Sequence, residues 1–120
     1  TTEETATVPG EKNLVAVSDY TAGKTITVVS VLLEKPGYVM IHEDDKGEPG
    51  KIIGTSKLLP AGESTNVVVT LTRTSKEAEV LYAMLHTDDG DGKFSATTDN
   101  PITDSQGETV MMNFTVEAAE

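Results

Sequence analysis

The feature that most constrains this chain is a short pattern that occurs twice, Tyr38-Val39-Met40-Ile41-His42 and Tyr82-Ala83-Met84-Leu85-His86. Each run is apolar up to its terminal histidine. Acids follow both times, as Glu43-Asp44-Asp45 and, after Thr87, as Asp88-Asp89. Successive side chains of a strand point to opposite faces, so a strand that is apolar throughout must be covered on both sides. The two runs therefore read as interior strands of a layered β fold, or as strands covered by a loop. Residues Glu77 to Met84 have some helical propensity, but their flanking loops and their likeness to the Tyr38 run argue for a strand.

The rest of the chain alternates short apolar runs with turn residues. Leu14 to Val17 is a first strand after the Pro9-Gly10 turn signal. Lys24 to Leu33 is a second, rich in β-branched residues; strict alternation would put Ile26, Val28 and Ser30 on one face and Val29, Val31 and Leu33 on the other. Asp44 to Gly50, with two glycines, a proline and acids, reads as irregular. Lys51 to Leu59 is a weaker strand whose Gly54 suggests an edge or a bulge. After a turn at Pro60 to Glu63, Asn66 to Leu71 places Val67, Val69 and Leu71 together. Asp88 to Glu108 reads as a loop with a short turn of helix, and Thr109 to Val116 closes the chain with Val110, Met112, Phe114 and Val116 inward. About seven close-spaced strands of this kind predict an all-β, single Greek-key β-sandwich, immunoglobulin-like or cupredoxin-like. Residues 1–12 read as a polar N-terminal lead and 13–120 as the sandwich domain.

Nine basic against twenty acidic residues leave a net charge of −11. That surplus repels phosphate backbones and anionic lipid surfaces, so neither nucleic acid nor membrane insertion is expected. No apolar run approaches the ~20 residues that span a bilayer. The absence of cysteine removes disulfides, thiolate nucleophiles, zinc–cysteine sites and the thiolate of a blue-copper centre. The Thr/Glu-rich start, without a methionine, reads as a mature terminus or an excised domain and points to an exported chain. Asn113-Phe114-Thr115 is a glycosylation sequon, in keeping with that.

Two groups of residues could bind an ion. Met40 with His42, and Met84 with His86, share a strand face at i and i+2. If the two strands are neighbours, two imidazoles and two thioethers converge near one end of the sandwich. That soft donor set suits Cu(I); the plainer reading makes the methionines core filler and the histidines strand-end caps. The loop Thr87-Asp88-Asp89-Gly90-Asp91-Gly92 half-matches a calcium loop. It has oxygen donors at alternate positions and a glycine at the sixth, but threonine at the first and Thr98 in place of a bidentate glutamate at the twelfth. Asp88, Asp89 and Asp91 are its candidate ligands, and a solvated turn is the plainer reading. Catalytic motifs are missing: there is no Gly-x-Ser-x-Gly elbow and no His-Glu-x-x-His.

The order Gly37-Tyr38-Val39-Met40-Ile41-His42, Ile53-Gly54-Thr55-Ser56-Lys57-Leu58-Leu59, Pro60-Ala61-Gly62 and Leu81-Tyr82-Ala83-Met84-Leu85-His86-Thr87-Asp88 resembles a domain family of unknown function. That family is common in exported and cell-surface proteins of haloarchaea and some bacteria. The resemblance covers roughly residues 14 to 117 and implies an extracellular β-sandwich module, with no established activity or ligand; Asp89-Gly90-Asp91-Gly92 is more acidic than its pattern. The expectation is a non-catalytic, secreted or cell-surface module with a structural or adhesive role. Self-association, as an assembly subunit, or other surface proteins would supply its partners. Copper binding through His42, His86, Met40 and Met84, and calcium stabilisation through the acidic loop 87–92, are the alternatives.

Overall fold

A computed structural model of the chain describes residues 13–19, 21–90, 100–104 and 106–118. Seven strands follow in order: β1 (Leu14–Asp19), β2 (Thr25–Leu33), β3 (Gly37–Asp45), β4 (Glu48–Thr55), β5 (Gly62–Thr70), β6 (Val80–Thr87) and β7 (Met111–Thr115). They make two antiparallel sheets, ordered β1-β2-β5 and β4-β3-β6-β7, with no helix among the described residues. This is the expected all-β sandwich. Its strand order matches the immunoglobulin likeness, with β1, β2, β5 in the places of A, B, E and β3, β6, β7 in those of C, F, G. The core lies between the sheets, where Ile26, Val28 and Val69 of one face Val39, Ile41 and Leu85 of the other, all without exposure. Burying each such aliphatic side chain contributes about 1.5–3 kcal/mol.

Three expectations give way. Asp44 to Gly50 is not irregular: β3 runs to Asp45, β4 starts at Glu48, and Lys46-Gly47 turns between them at φ 56° and 91°. Positive φ at both central residues is what a type I′ hairpin requires, because its twist matches that of the strands. Asp44 Oδ1 also accepts a bond from Gly47 N at 3.0 Å. Second, β2 does not alternate throughout. Ile26 and Val28 are inward, then Val31 and Leu33 take over. The change falls at Val29, which is passed over in both of its ladders, opposite Asn66 at φ 53°; a bulge shifts the phase of a strand by one residue. Third, the turn expected to run through Gly62-Glu63 gives way there to the start of β5. The short helical turn expected within Asp88 to Glu108 falls in large part outside the described residues, and the described ones there hold none. Asn100 to Ile102 runs back beside β6, with Ile102 N donating to Leu85 O at 2.8 Å, and Val110 returns against it, its N donating to Ile102 O at 2.8 Å.

Strands β3 and β6 are neighbours at the centre of the four-stranded sheet, as their two-sided apolar character requires. The edge position expected for the Gly54 strand also holds, since β4 lies at the rim of that sheet.

Candidate functional site

Val39, Ile41, Leu81, Ala83 and Leu85 of the central pair point into the core between the sheets. Alternation then puts Tyr38, Met40, His42, Tyr82, Met84 and His86 on the opposite, outer face, yet all six are buried. Their register is Tyr38↔His86, Met40↔Met84 and His42↔Tyr82. The two runs are thus related by an approximate two-fold axis that passes between Met40 and Met84, normal to the sheet. His42 and His86 do not share one end of the sandwich, because antiparallel strands finish at opposite ends. They lean inward from the two ends and meet across the methionine pair, with ring centres 5.7 Å apart and planes 14° from parallel.

The same symmetry governs the hydrogen bonds. Tyr82 Oη donates to Asp44 Oδ1 at 2.7 Å, and Tyr38 Oη donates to Asp88 Oδ1 at 3.4 Å. Each aspartate sits two residues beyond a histidine, so the repeated unit is Tyr-x-Met-x-His-x-Asp, and each tyrosine latches to the aspartate of the other run. Asp44 was not among the expected site residues; the equal spacing after His42 and His86 was the signal for it. The Asp44 carboxylate pushes the Tyr82 phenol pKa up, first by accepting its hydrogen bond and then with burial and charge adding to the effect.

His42 Nδ1 lies 2.8 Å from the carbonyl oxygen of Gly50. A carbonyl only accepts, so Nδ1 carries the proton, and in the neutral ring Nε2 presents its lone pair. That nitrogen is buried and has no hydrogen-bond partner among the described residues. His42 as a whole is 7% exposed and His86 5%. The structure therefore sets the two imidazoles of the soft-metal reading side by side and pairs its two methionines in register between them.

The calcium candidates are arranged differently. Asp88 spends Oδ1 on Tyr38 and Oδ2 on Gly90 N at 3.2 Å, Asp89 is exposed, and Asp91 lies outside the described residues. Among the described residues no three histidine, aspartate or glutamate side chains gather to hold a metal. A separate ion network ties the β5–β6 connection to β3, where the Arg73 guanidinium grips Glu79 through two nitrogens and Glu43 at 3.0 Å. The Arg73 hydrogen bond holds the Glu79 carboxyl below its usual range, against an opposing push from burial.

Fold and site together define a seven-stranded β-sandwich domain with a paired, two-fold cluster of histidine, methionine and tyrosine on its larger sheet. Within that class, a family model described as "Domain of unknown function (DUF7282)" matches residues 13–117, and the chain belongs to that family. No curated protein and no solved structure matches it.

Proposed function

We propose that this domain is a non-catalytic structural module of a secreted or cell-surface protein, a link that carries the chain from one neighbour to the next. One observation supports this above the others: the chain enters and leaves the sandwich at opposite poles. Asn13 stands at the start of β1, where its Oδ1 accepts from Glu34 N at 3.0 Å. Glu117 stands beyond the far end of that strand, where its carbonyl accepts from Ala22 N at 2.7 Å in a parallel bridge beside Thr21. Strands β1 and β7 run the same way, so copies or neighbours joined end to end extend a line and do not fold back. The net charge of −11 keeps such links soluble by mutual repulsion.

The test is a head-to-tail fusion of two copies, measured by small-angle scattering. A maximum dimension close to twice that of one copy is expected; a compact, folded-back pair would refute the reading. Extracellular protease or biotin labelling of intact cells tests the location, and a signal confined to lysed cells would count against it.

A further inference from the structure

We infer that the two-fold cluster on the outer face of β3 and β6 is a binding site for one soft monovalent d10 cation, with Cu(I) as its natural occupant. His42 Nε2, His86, Met40 and Met84 supply its donors. The decisive group is His42. Its Nδ1–H is committed to the Gly50 carbonyl at 2.8 Å, the arrangement by which proteins fix a metal-binding tautomer. The nitrogen left over is a lone pair, buried and without a hydrogen-bond partner, and a buried acceptor in that state lacks only an electrophile. A second imidazole stands beside it. The two rings are stacked with centres 5.7 Å apart, close enough that a turn of one side chain brings both nitrogens to one ion at bonds of about 2.0 Å. Beneath their meeting point the register pairs Met40 with Met84, both buried.

The chemistry of the donors selects the ion. Imidazole nitrogen is a borderline donor and thioether sulfur a soft one, both neutral, and thioethers favour Cu(I) over hard cations. A buried site of neutral donors leaves the charge of a bound ion uncompensated, which weighs far more heavily on a divalent than on a monovalent cation. Both aspartates at the margins, Asp44 and Asp88, accept from tyrosine hydroxyls and serve as latches on the frame. The site takes up and holds the ion; no redox step is assigned to it.

The test uses the full chain, stripped with chelator and kept anaerobic. It is titrated with Cu(I) against bicinchoninate and, separately, with Ag(I) while the imidazole nitrogens are followed by long-range ¹H–¹⁵N NMR. One equivalent bound, with the Nε2 resonance of His42 shifted, is expected. Replacing both methionines (Met40→Leu with Met84→Leu) keeps the apolar volume and should weaken binding at least tenfold with the melting profile retained. His42→Gln should abolish the stoichiometric step; if that variant does not fold, the methionine pair decides alone. Failure to compete with bicinchoninate at one equivalent overturns the inference. So does uptake unchanged in the variants, which would place the ion elsewhere, and so does a preference for Zn²⁺ or Ca²⁺ over both monovalent ions. None of these results bears on whether the module is a link between neighbours.

Discussion

Replacing Gly37 with alanine tests how tightly the central pair is locked. Gly37 opens β3 opposite Thr87, and its N–H and C=O both bond to Leu59, at 3.1 and 2.8 Å. A Cβ built there would stand 2.4 Å from the His86 carbonyl oxygen and 3.4 Å from its carbon. Ordinary carbon–oxygen contacts begin at about 3.3 Å, so roughly 1 Å must be found. The obstructing atom is backbone, held by the β3–β6 ladder, and no rotamer can relieve it. Overpacking of this kind costs about 1–3 kcal/mol, while the stiffer unfolded chain returns about 0.4–1 kcal/mol. A net loss of about 1.3 kcal/mol lowers the melting temperature of a domain this size by roughly 5 °C. Gly54→Ala is the comparison: its Cβ would meet Leu71 Cδ2 and Val69 Cγ1, both at 2.9 Å, and methyl groups can move. Urea and thermal unfolding followed by circular dichroism should rank Gly37→Ala as the more damaging of the two. A wild-type midpoint for Gly37→Ala, or the reverse order, would refute the reasoning.

Ser56→Ala removes a buried hydroxyl that accepts from Val39 N at 3.0 Å and donates to Lys57 O at 2.8 Å; a loss of about 1–3 kcal/mol is expected, with the Val39 amide losing its protection in hydrogen exchange. A Val39 amide as slow as in the wild type would contradict this. The raised phenol of Tyr82 contributes stability below the unfolded tyrosine pKa that is lost as pH climbs through the folded value. Tyr82→Phe should therefore remove a late-titrating tyrosine signal at 295 nm and the corresponding alkaline limb of the stability curve; an unchanged alkaline limb would contradict this. The lowered carboxyl of Glu79 works in the opposite sense, with stability present above the unfolded glutamate pKa and lost as pH falls through the folded one. Arg73→Ala should flatten that acid limb. With side-chain exposures of 34% for Arg73 and 21% for Glu79, the pair contributes about 0.5–1 kcal/mol after screening. An acid limb unchanged in the variant would remove Glu79 as its source.

Most of the architecture was legible because it rests on local rules. Period-two burial of Val67, Val69 and Leu71, and of Phe114 with Val116, is what their strands display, and two-sided apolar runs do sit at the centre of a sheet. The losses occur where a rule depends on a partner. The phase change at Val29 is set jointly by β1, β2 and the left-handed Asn66, and no single strand announces it. Lys46-Gly47 did announce a hairpin, but the acids and proline around it obscured the signal. The site divides the same way. That Met40 joins His42, and Met84 joins His86, follows from spacing alone. Whether the pairs meet depends on adjacency and register, which only the folded chain supplies; with the strands antiparallel, the histidines converge from opposite ends.

The burial of the outer face is more than the sandwich itself demands. Strand β5 shows the ordinary pattern, with Val67 and Val69 buried and Asn66, Val68 and Thr70 exposed. Strands β3 and β6 instead carry six consecutive buried residues each, and only half of these serve the core between the sheets. Packing alone does not ask for an imidazole there, since a leucine would cover the sheet without stranding an acceptor, and a stranded acceptor costs about 1–3 kcal/mol. At His42 that cost is incurred beside a second imidazole, above paired methionines, inside a frame closed at both ends by a tyrosine–aspartate bond. The unfavourable polar burial at His42 thus falls where the two equivalent runs cross, and that coincidence is what the proposed ion site rests on.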